Sequence, residues 1–537
     1  MPVWAGALVG IVAGAVALGV AQVVSGLVDA RAFPVVAVGD AAVDLAPAPL
    51  KEFAIATFGE NDKLVLVGGV FVVLALVAGA IGVLATRRLG YGLAGLGGFA
   101  AVGLAAVLTR PGARAVEVLP TVLGVAAGAC VLVWLTRRAA PARAGATAGD
   151  APAEGPPAEG PAAEAGPEVT RPAVMRAGRE LYVFDRRRLL TGAAGGVVVA
   201  GAATLLGRGL TGRQAVDAAR GGIALPRPAT PAPPLPAGVD FKINGLSSFV
   251  TRNRDFYRVD TALVVPQVDP STWTLRVHGL VDRPVELTFD DLLRRPLTEA
   301  DITLTCVSNE VGGPYAGNAR WLGVRMADVL REAGLRSGAD MLLSTSEDGF
   351  TCGTPLDVVM DGRDALFAVA MNGEALPVDH GFPVRQVVPG LYGYVSATKW
   401  VVDVKVTRFA TDQAYWTSRG WAAEGPIKTQ SRIDLPRAGA TVTSGRTTIA
   451  GVAWAQHTGL SAVEVRVDRG EWRQARLAQV PGPDTWRQWA LDWDATPGDH
   501  TIEVRATDAA GRTQAEERRP ITPDGATGWH TITVKVS

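Results

Sequence analysis

The sequence predicts three architectures in series: an all-α transmembrane bundle, a mixed α+β domain and an all-β sandwich. Three observations carry this. Long uncharged apolar runs are concentrated before residue 210. Strand-like and helix-like segments are mixed between Asp240 and Gly425. Beyond Pro426 only short alternating strands remain. With 537 residues the chain is too long for one ordinary domain.

Five stretches are long enough to cross a bilayer core, which takes roughly 20 residues of helix. They are Val3–Val28, Lys63–Ala85, Tyr91–Leu108, Val116–Leu135 and Leu189–Leu206. None shows the polar face that a soluble helix would carry. The basic pairs Arg87-Arg88 and Arg137-Arg138 and the run Arg186 to Arg188 fall on one side if the N-terminus is cytoplasmic. Everything after the fifth span is then extracytoplasmic. Arg110 and Arg114 run against this asymmetry. The expected product is a multi-pass cell-membrane protein.

The boundaries follow from composition. Residues 1–136 are expected to form a four-helix transmembrane region, and 137–184 a disordered cytoplasmic linker of Ala, Pro and Glu. Residues 185–208 form the fifth helix, and its start, "DRRRLLTGAAGG", resembles a twin-arginine export signal. A plain positive-inside anchor accounts for it equally well. Residues 209–240 are a Pro-rich extended spacer, 241–425 the α+β domain and 426–537 the sandwich.

Within 241–425, "STWTLRVHGLV" and "DITLTC" read as strands, and "WLGVRMADVLREAGL" has helical spacing. "LFAVAMNGEALP" reads as a hairpin turning at Asn372-Gly373. After Pro426, "TTIAGVAWA", "AVEVRVD", "TIEVRATD" and "WHTITVKV" suggest an immunoglobulin-like sandwich.

Charge excludes one class of partner. Lys plus Arg equals Asp plus Glu at 52 each, so nothing points to nucleic acid. The three cysteines are less decisive. Cys130 sits inside the fourth span, as a small apolar packer. Cys306, in "TLTCVSNEVGG", reads as a buried thiol, a disulfide partner of Cys352 or a functional thiolate. Cysteine–histidine spacing for a zinc site is lacking.

"MNGEALPVDHGFPVRQVVPG" (Met371 to Gly390), followed by "ATKW" (Ala397 to Trp400), resembles the signature of the sulfite-oxidase family of molybdenum enzymes. The resemblance runs from about Phe249 to Ser537. It implies a sulfite-oxidase-type molybdopterin domain, with molybdenum–molybdopterin as cofactor and Cys306 as the metal ligand. It also implies pterin contacts from His380, Arg385 and Lys399. Their chemistry suits this: a thiolate is a soft anionic donor, an arginine a planar fork for phosphate and a lysine a point charge. "FVTRNRDFYRVDTALVVPQVDP" carries Arg252 and Asn253 onto the family's Arg-Asn pair, the arginine facing the substrate anion. Asn309 stands three residues after the cysteine. "WRQW" (Trp486 to Trp489) carries Arg487 onto an arginine of the anion pocket.

The sequence departs from the family in two places. Glu310-Val311 stands where sulfite oxidases keep arginines, and Trp421 is the nearest match to a catalytic tyrosine, with Tyr415 six residues earlier. A pocket with less positive charge binds an oxyanion less well. The resemblance therefore implies two-electron oxygen-atom transfer on a small oxyanion, sulfur or oxo substrate. It leaves open the reduction of a sulfoxide such as methionine sulfoxide on the same cofactor. A degenerate, non-catalytic binding scaffold is the third reading, and retention of the cysteine and both motifs argues against it. No haem is expected: all five histidines follow the last span, and no Cys-x-x-Cys-His occurs. Electrons would pass through a separate redox protein or a quinone. Family members also pair through the sandwich, implying a homodimer.

Overall fold

The structure is a computed structural model that describes residues 2–46, 62–110, 113–139, 175–177, 180–182, 186–209 and 213–537. Most of the expected linker 137–184 lies outside the described residues. The chain divides into two compact units, Met1–Gly212 and Arg213–Ser537.

The first unit is helical. Four helices are long and apolar enough to cross a membrane: Val3–Val28, Val65–Arg87, Leu89–Leu108 and Ala115–Arg138. A fifth helix, Arg186–Gly209, packs along the first, and its described apolar stretch is Leu190–Leu205. A further helix, Pro34–Leu45, was not foreseen. Small residues bring the first and second spans together: a Cβ added at Gly10 would lie 1.9 Å from Ala78 O.

The arginines that run against the charge asymmetry are neutralised locally. Arg110 Nη2 lies 2.5 Å from Glu117 Oε2, and Arg114 Nε lies 3.2 Å from Glu117 Oε1. Arg110 also donates to Arg31 O at 2.6 Å. Glu117 is buried, so these side chains work as a paired cluster rather than as free positive charge.

The second unit begins with the helix Arg213–Gly221, whose Arg220 donates to Ala375 O and Leu376 O. The Pro-rich segment that follows is extended and lies against the strand Thr298–Thr305, with Glu299 N donating to Thr230 O. Two five-stranded sheets then form the α+β part. In one, Leu366–Met371 is central, flanked by Ala316–Arg325, Glu374–Ala375 and Arg385–Val387, with Thr298–Thr305 at the edge. The other runs Val285–Thr288, Thr274–Gly279, Val401–Thr407, Met341–Ser346, Thr351–Pro355. Its Thr274–Gly279 and Val401–Thr407 pair is parallel, which needs a long crossover. Leu366–Met371 is buried on both faces, which explains its unbroken apolar sequence.

One local expectation changes. Trp321–Arg325 is strand, and the helix starts only at Met326 and ends at Ala333. The apolar spacing there joins a doubly buried strand to a short amphipathic helix. The hairpin turn is as its residues demand: Asn372 and Gly373 both have positive φ, +52° and +82°.

Beyond Pro426 two sheets enclose a separate core. One comprises Gln430–Leu435, Gly445–Trp454, Arg487–Ala495 and Arg476–Leu477. The other comprises Thr441–Val442, His530–Val536, Gly498–Asp508, Leu460–Val467 and Arg473–Gln474. Alternate residues of His530–Val536 point inward, the period that a half-buried strand imposes.

Candidate active site

Cys306 follows the edge strand Thr298–Thr305 directly, at the start of a tight turn. Asn309 N donates to Cys306 O at 3.1 Å, and Cys306 N donates to Tyr315 O at 3.0 Å. The thiol is buried and unpaired; Cys352 is a second free, buried thiol. The disulfide alternative for Cys306 is therefore not realised. Burial pushes the Cys306 thiol up, against the Ser308 N–H that points at Sγ from 3.4 Å. A bound cation would reverse that balance and deprotonate it.

The two sequence motifs that flank this thiol meet through the backbone. Gln386 N donates to Thr398 O at 2.8 Å, and Val401 N donates to Val384 O at 3.1 Å, so Pro383–Arg385 and Ala397–Trp400 lie side by side. Gly381, at φ +109°, makes this possible: a Cβ there would stand 3.0 Å from Arg385 Cβ and 3.1 Å from Lys399 Cβ.

Arg385 is 5% exposed and has no carboxylate partner among the described residues. Its guanidinium donates to His380 O at 3.1 Å and Ala397 O at 3.4 Å, and stands 5.1 Å from the centre of the Trp321 ring. Its Nε has no partner. Burial lowers its pKa to about 10, so it remains a cation at neutral pH. Lys399 Nζ lies 2.7 Å from Asp260 Oδ2 and donates to Asp379 O at 3.4 Å. Burial pulls Lys399 down to about 8 against the opposing charge of Asp260.

A segment with little regular structure, Arg252–Asp260, roofs this cradle. His380 Nε2 donates to Asn253 O at 2.9 Å, which fixes that imidazole as the Nε2–H tautomer. Burial holds His380 at about 4, followed by the repulsion of Arg385. Phe256 sits edge-on to His380 at 5.6 Å and to Trp321 at 5.9 Å. Tyr257 follows, its ring 6.3 Å from that of Tyr315; burial pushes its phenol up, Cys306 adds to this and Arg385 opposes it. Tyr257 and Asp260 escaped the sequence reading.

The structure thus brings Cys306, Asn309, His380, Arg385 and Lys399 together. Asn309 accepts from Tyr315 N at 2.8 Å, and its Nδ2 is buried without a partner. Asn253 acts as a strut: its Nδ2 donates to Met371 O and Glu374 Oε1, and its Oδ1 accepts from Asn372. Three expected site residues lie elsewhere. Arg252 is 71% exposed and pairs with Asp255 at 2.6 Å, because its turn carries Asn253 inward and Arg252 outward. Arg487 donates to Ala478 O and Leu460 O inside the sandwich, while its neighbour Trp486 takes the inward position and binds Phe249 O and Thr303 Oγ1. Trp421 packs at 5.9 Å from both Tyr394 and Trp416, against the hydrophobic core. Tyr415 pairs with Phe350 and carries Arg419 over its ring.

The sandwich holds the cysteine loop from behind. Gln456 Nε2 donates to Thr305 Oγ1 at 3.0 Å, Arg432 Nη1 donates to Gly313 O at 3.0 Å, and Thr303 N donates to Asp484 O at 3.0 Å. His530 lies against Gly312, and its Nδ1 accepts from Ile433 N at 2.9 Å.

A molybdopterin fits these residues. A buried arginine without a countercharge, and two unpartnered buried donors at Arg385 Nε and Asn309 Nδ2, call for an anionic, acceptor-rich group. A single thiolate beside them offers one protein ligand to a soft metal and leaves its other positions open.

Comparison with known proteins agrees with that chemistry. Residues 262–416 match the oxidoreductase molybdopterin binding domain. Mouse mitochondrial sulfite oxidase is 32% identical over 58% of this chain and 64% of its own length. The chain therefore spans just under two thirds of that relative. Chicken sulfite oxidase is 30% identical over 51% of this chain and 70% of its own length. The uncharacterized oxidoreductase YuiH of Bacillus subtilis (strain 168) is 36% identical over 29% of this chain and 76% of its own length. The chain belongs to the sulfite-oxidase family of molybdopterin-binding oxidoreductases.

Proposed function

We propose that this protein is a membrane-anchored, extracytoplasmic molybdenum oxidoreductase that transfers an oxygen atom to or from a small sulfur-centred substrate. Cys306 would bind the metal, and Arg385, Lys399 and His380 would hold the pterin. The observation that carries the reading is Arg385: a buried cation with no carboxylate, in the same cradle as a buried free thiol. The cofactor, when bound, supplies the two-electron chemistry of oxygen-atom transfer. The chain's part is to seat it, to exclude water beneath the Arg252–Asp260 roof and to orient substrate. Four apolar helices at the N-terminal end support the anchor. A separate redox protein or a quinone would exchange electrons, and the immunoglobulin-like sandwich would pair two copies.

Metal and pterin analysis of the full chain, from a host that makes the cofactor, tests this. Near-stoichiometric molybdenum is expected, and its absence would sink the reading.

A second reading, sulfoxide reduction, is favoured by one feature. Neither Arg252 nor Arg487 contributes positive charge to the cradle, and Glu310-Val311 follows the cysteine turn. A charge-poor pocket suits a neutral sulfoxide better than a dianion. Turnover of sulfite against methionine sulfoxide with artificial electron carriers separates the two.

A further inference from the structure

The roof segment holds one phenol whose hydroxyl is open. Tyr257 is half-buried, stacked on Phe256 at 5.2 Å and set 6.3 Å from Tyr315, whose carbonyl receives Cys306 N–H. Nothing among the described residues hydrogen-bonds its hydroxyl, and the oxygen is not sealed from solvent. The other candidate donors are committed or shut away. Arg258 is bound to Asp260 at 2.8 Å, and Arg252 to Asp255. Arg385 Nε and Asn309 Nδ2 are closed off from solvent.

We propose that Tyr257 donates its hydroxyl hydrogen to the sulfur–oxygen group of the substrate, as the specificity-determining donor of this site. The inference rests on the oxygen-atom-transfer reading above. An ordinary phenol, with a pKa of about 10, keeps its hydrogen at neutral pH. A neutral donor discriminates by geometry rather than by net charge. It can serve a sulfoxide as well as an oxyanion, and an uncompensated arginine would favour the latter.

Tyr257→Phe removes the hydroxyl alone and tests this in the full chain. Molybdenum per protein is measured first. Kinetics follow with whichever of sulfite and methionine sulfoxide the wild type turns over, together with the affinity for that compound. Molybdenum should be unchanged, while affinity and kcat/KM fall about 10- to 100-fold, the worth of one good hydrogen bond to a polar substrate. Unchanged molybdenum with unchanged affinity and kcat/KM would overturn the proposal. So would loss of molybdenum from the variant alone, because the hydroxyl would then be holding the cofactor. A wild type without molybdenum fails at the function reading itself and takes this inference with it.

Discussion

Lys399 Nζ lies 2.7 Å from Asp260 Oδ2, and both side chains are at most 10% exposed. The pair ties the roof of the cradle to its floor. Asp260→Asn would leave a buried ammonium without its countercharge, and chemical denaturation should show a loss of about 3–5 kcal/mol. Adding Lys399→Met should cost much less than the two single changes summed, since only the partly exposed Arg258, which also reaches Asp379, then loses a partner. A loss for Asp260→Asn below about 1 kcal/mol would mean that water screens the pair.

Gly312 has φ +82°, and a Cβ added there would stand 2.2 Å from the His530 ring. Gly312→Ala should therefore destabilise by about 1–3 kcal/mol through overcrowding and displace the cysteine loop. In a His530→Ala background the same change should cost distinctly less. Melting curves of the four proteins decide it, and equal losses in both backgrounds would assign the cost to backbone strain alone.

Two histidines set an acid limit. His380 and His530 are each held at about 4, by burial first and then by Arg385 and Arg432 respectively. In the unfolded chain both would protonate near about 6.5. Between those values the unfolded state binds protons that the fold refuses, so stability is complete above about pH 6.5 and falls as pH drops toward about 4. The slope should reach about 1.4 kcal/mol per pH unit for each histidine. Denaturation across this window measures it, and His380→Gln should remove one histidine's share of the slope.

Arg385→Met separates folding from cofactor retention. The cation sits buried and uncompensated, so its replacement by an apolar chain of similar volume should leave the cofactor-free protein as stable or more stable. Molybdopterin retained through purification should fall at least about tenfold, in line with the loss of a charge-assisted contact. A variant that keeps the cofactor would remove Arg385 from the cradle.

The cradle was legible in sequence where one residue type answers one chemical need. Cys306, Arg385 and Lys399 are such residues, and the Asn372-Gly373 turn is legible for the same reason. Arg252 was not, because sequence spacing does not say which of two adjacent turn residues faces inward. Arg487 fails similarly: its neighbour Trp486 takes the inward position. Tyr257 and Asp260 lie in a segment with no strand or helix period, so nothing marked either as inward until the fold set them beside Cys306 and Lys399. Trp321–Arg325 shows the opposite limit, since a strand buried on both faces imitates a helical stripe.

Sandwich contacts to Thr303, Thr305, Gly312 and Gly313 bear on how this enzyme could be taken apart. The residues on either side of Cys306 depend on side chains contributed more than a hundred positions later. A catalytic fragment trimmed at Gly425 would keep its motifs and lose their alignment. Any graft of this domain onto another carrier has to bring Arg432, Gln456 and His530 with it.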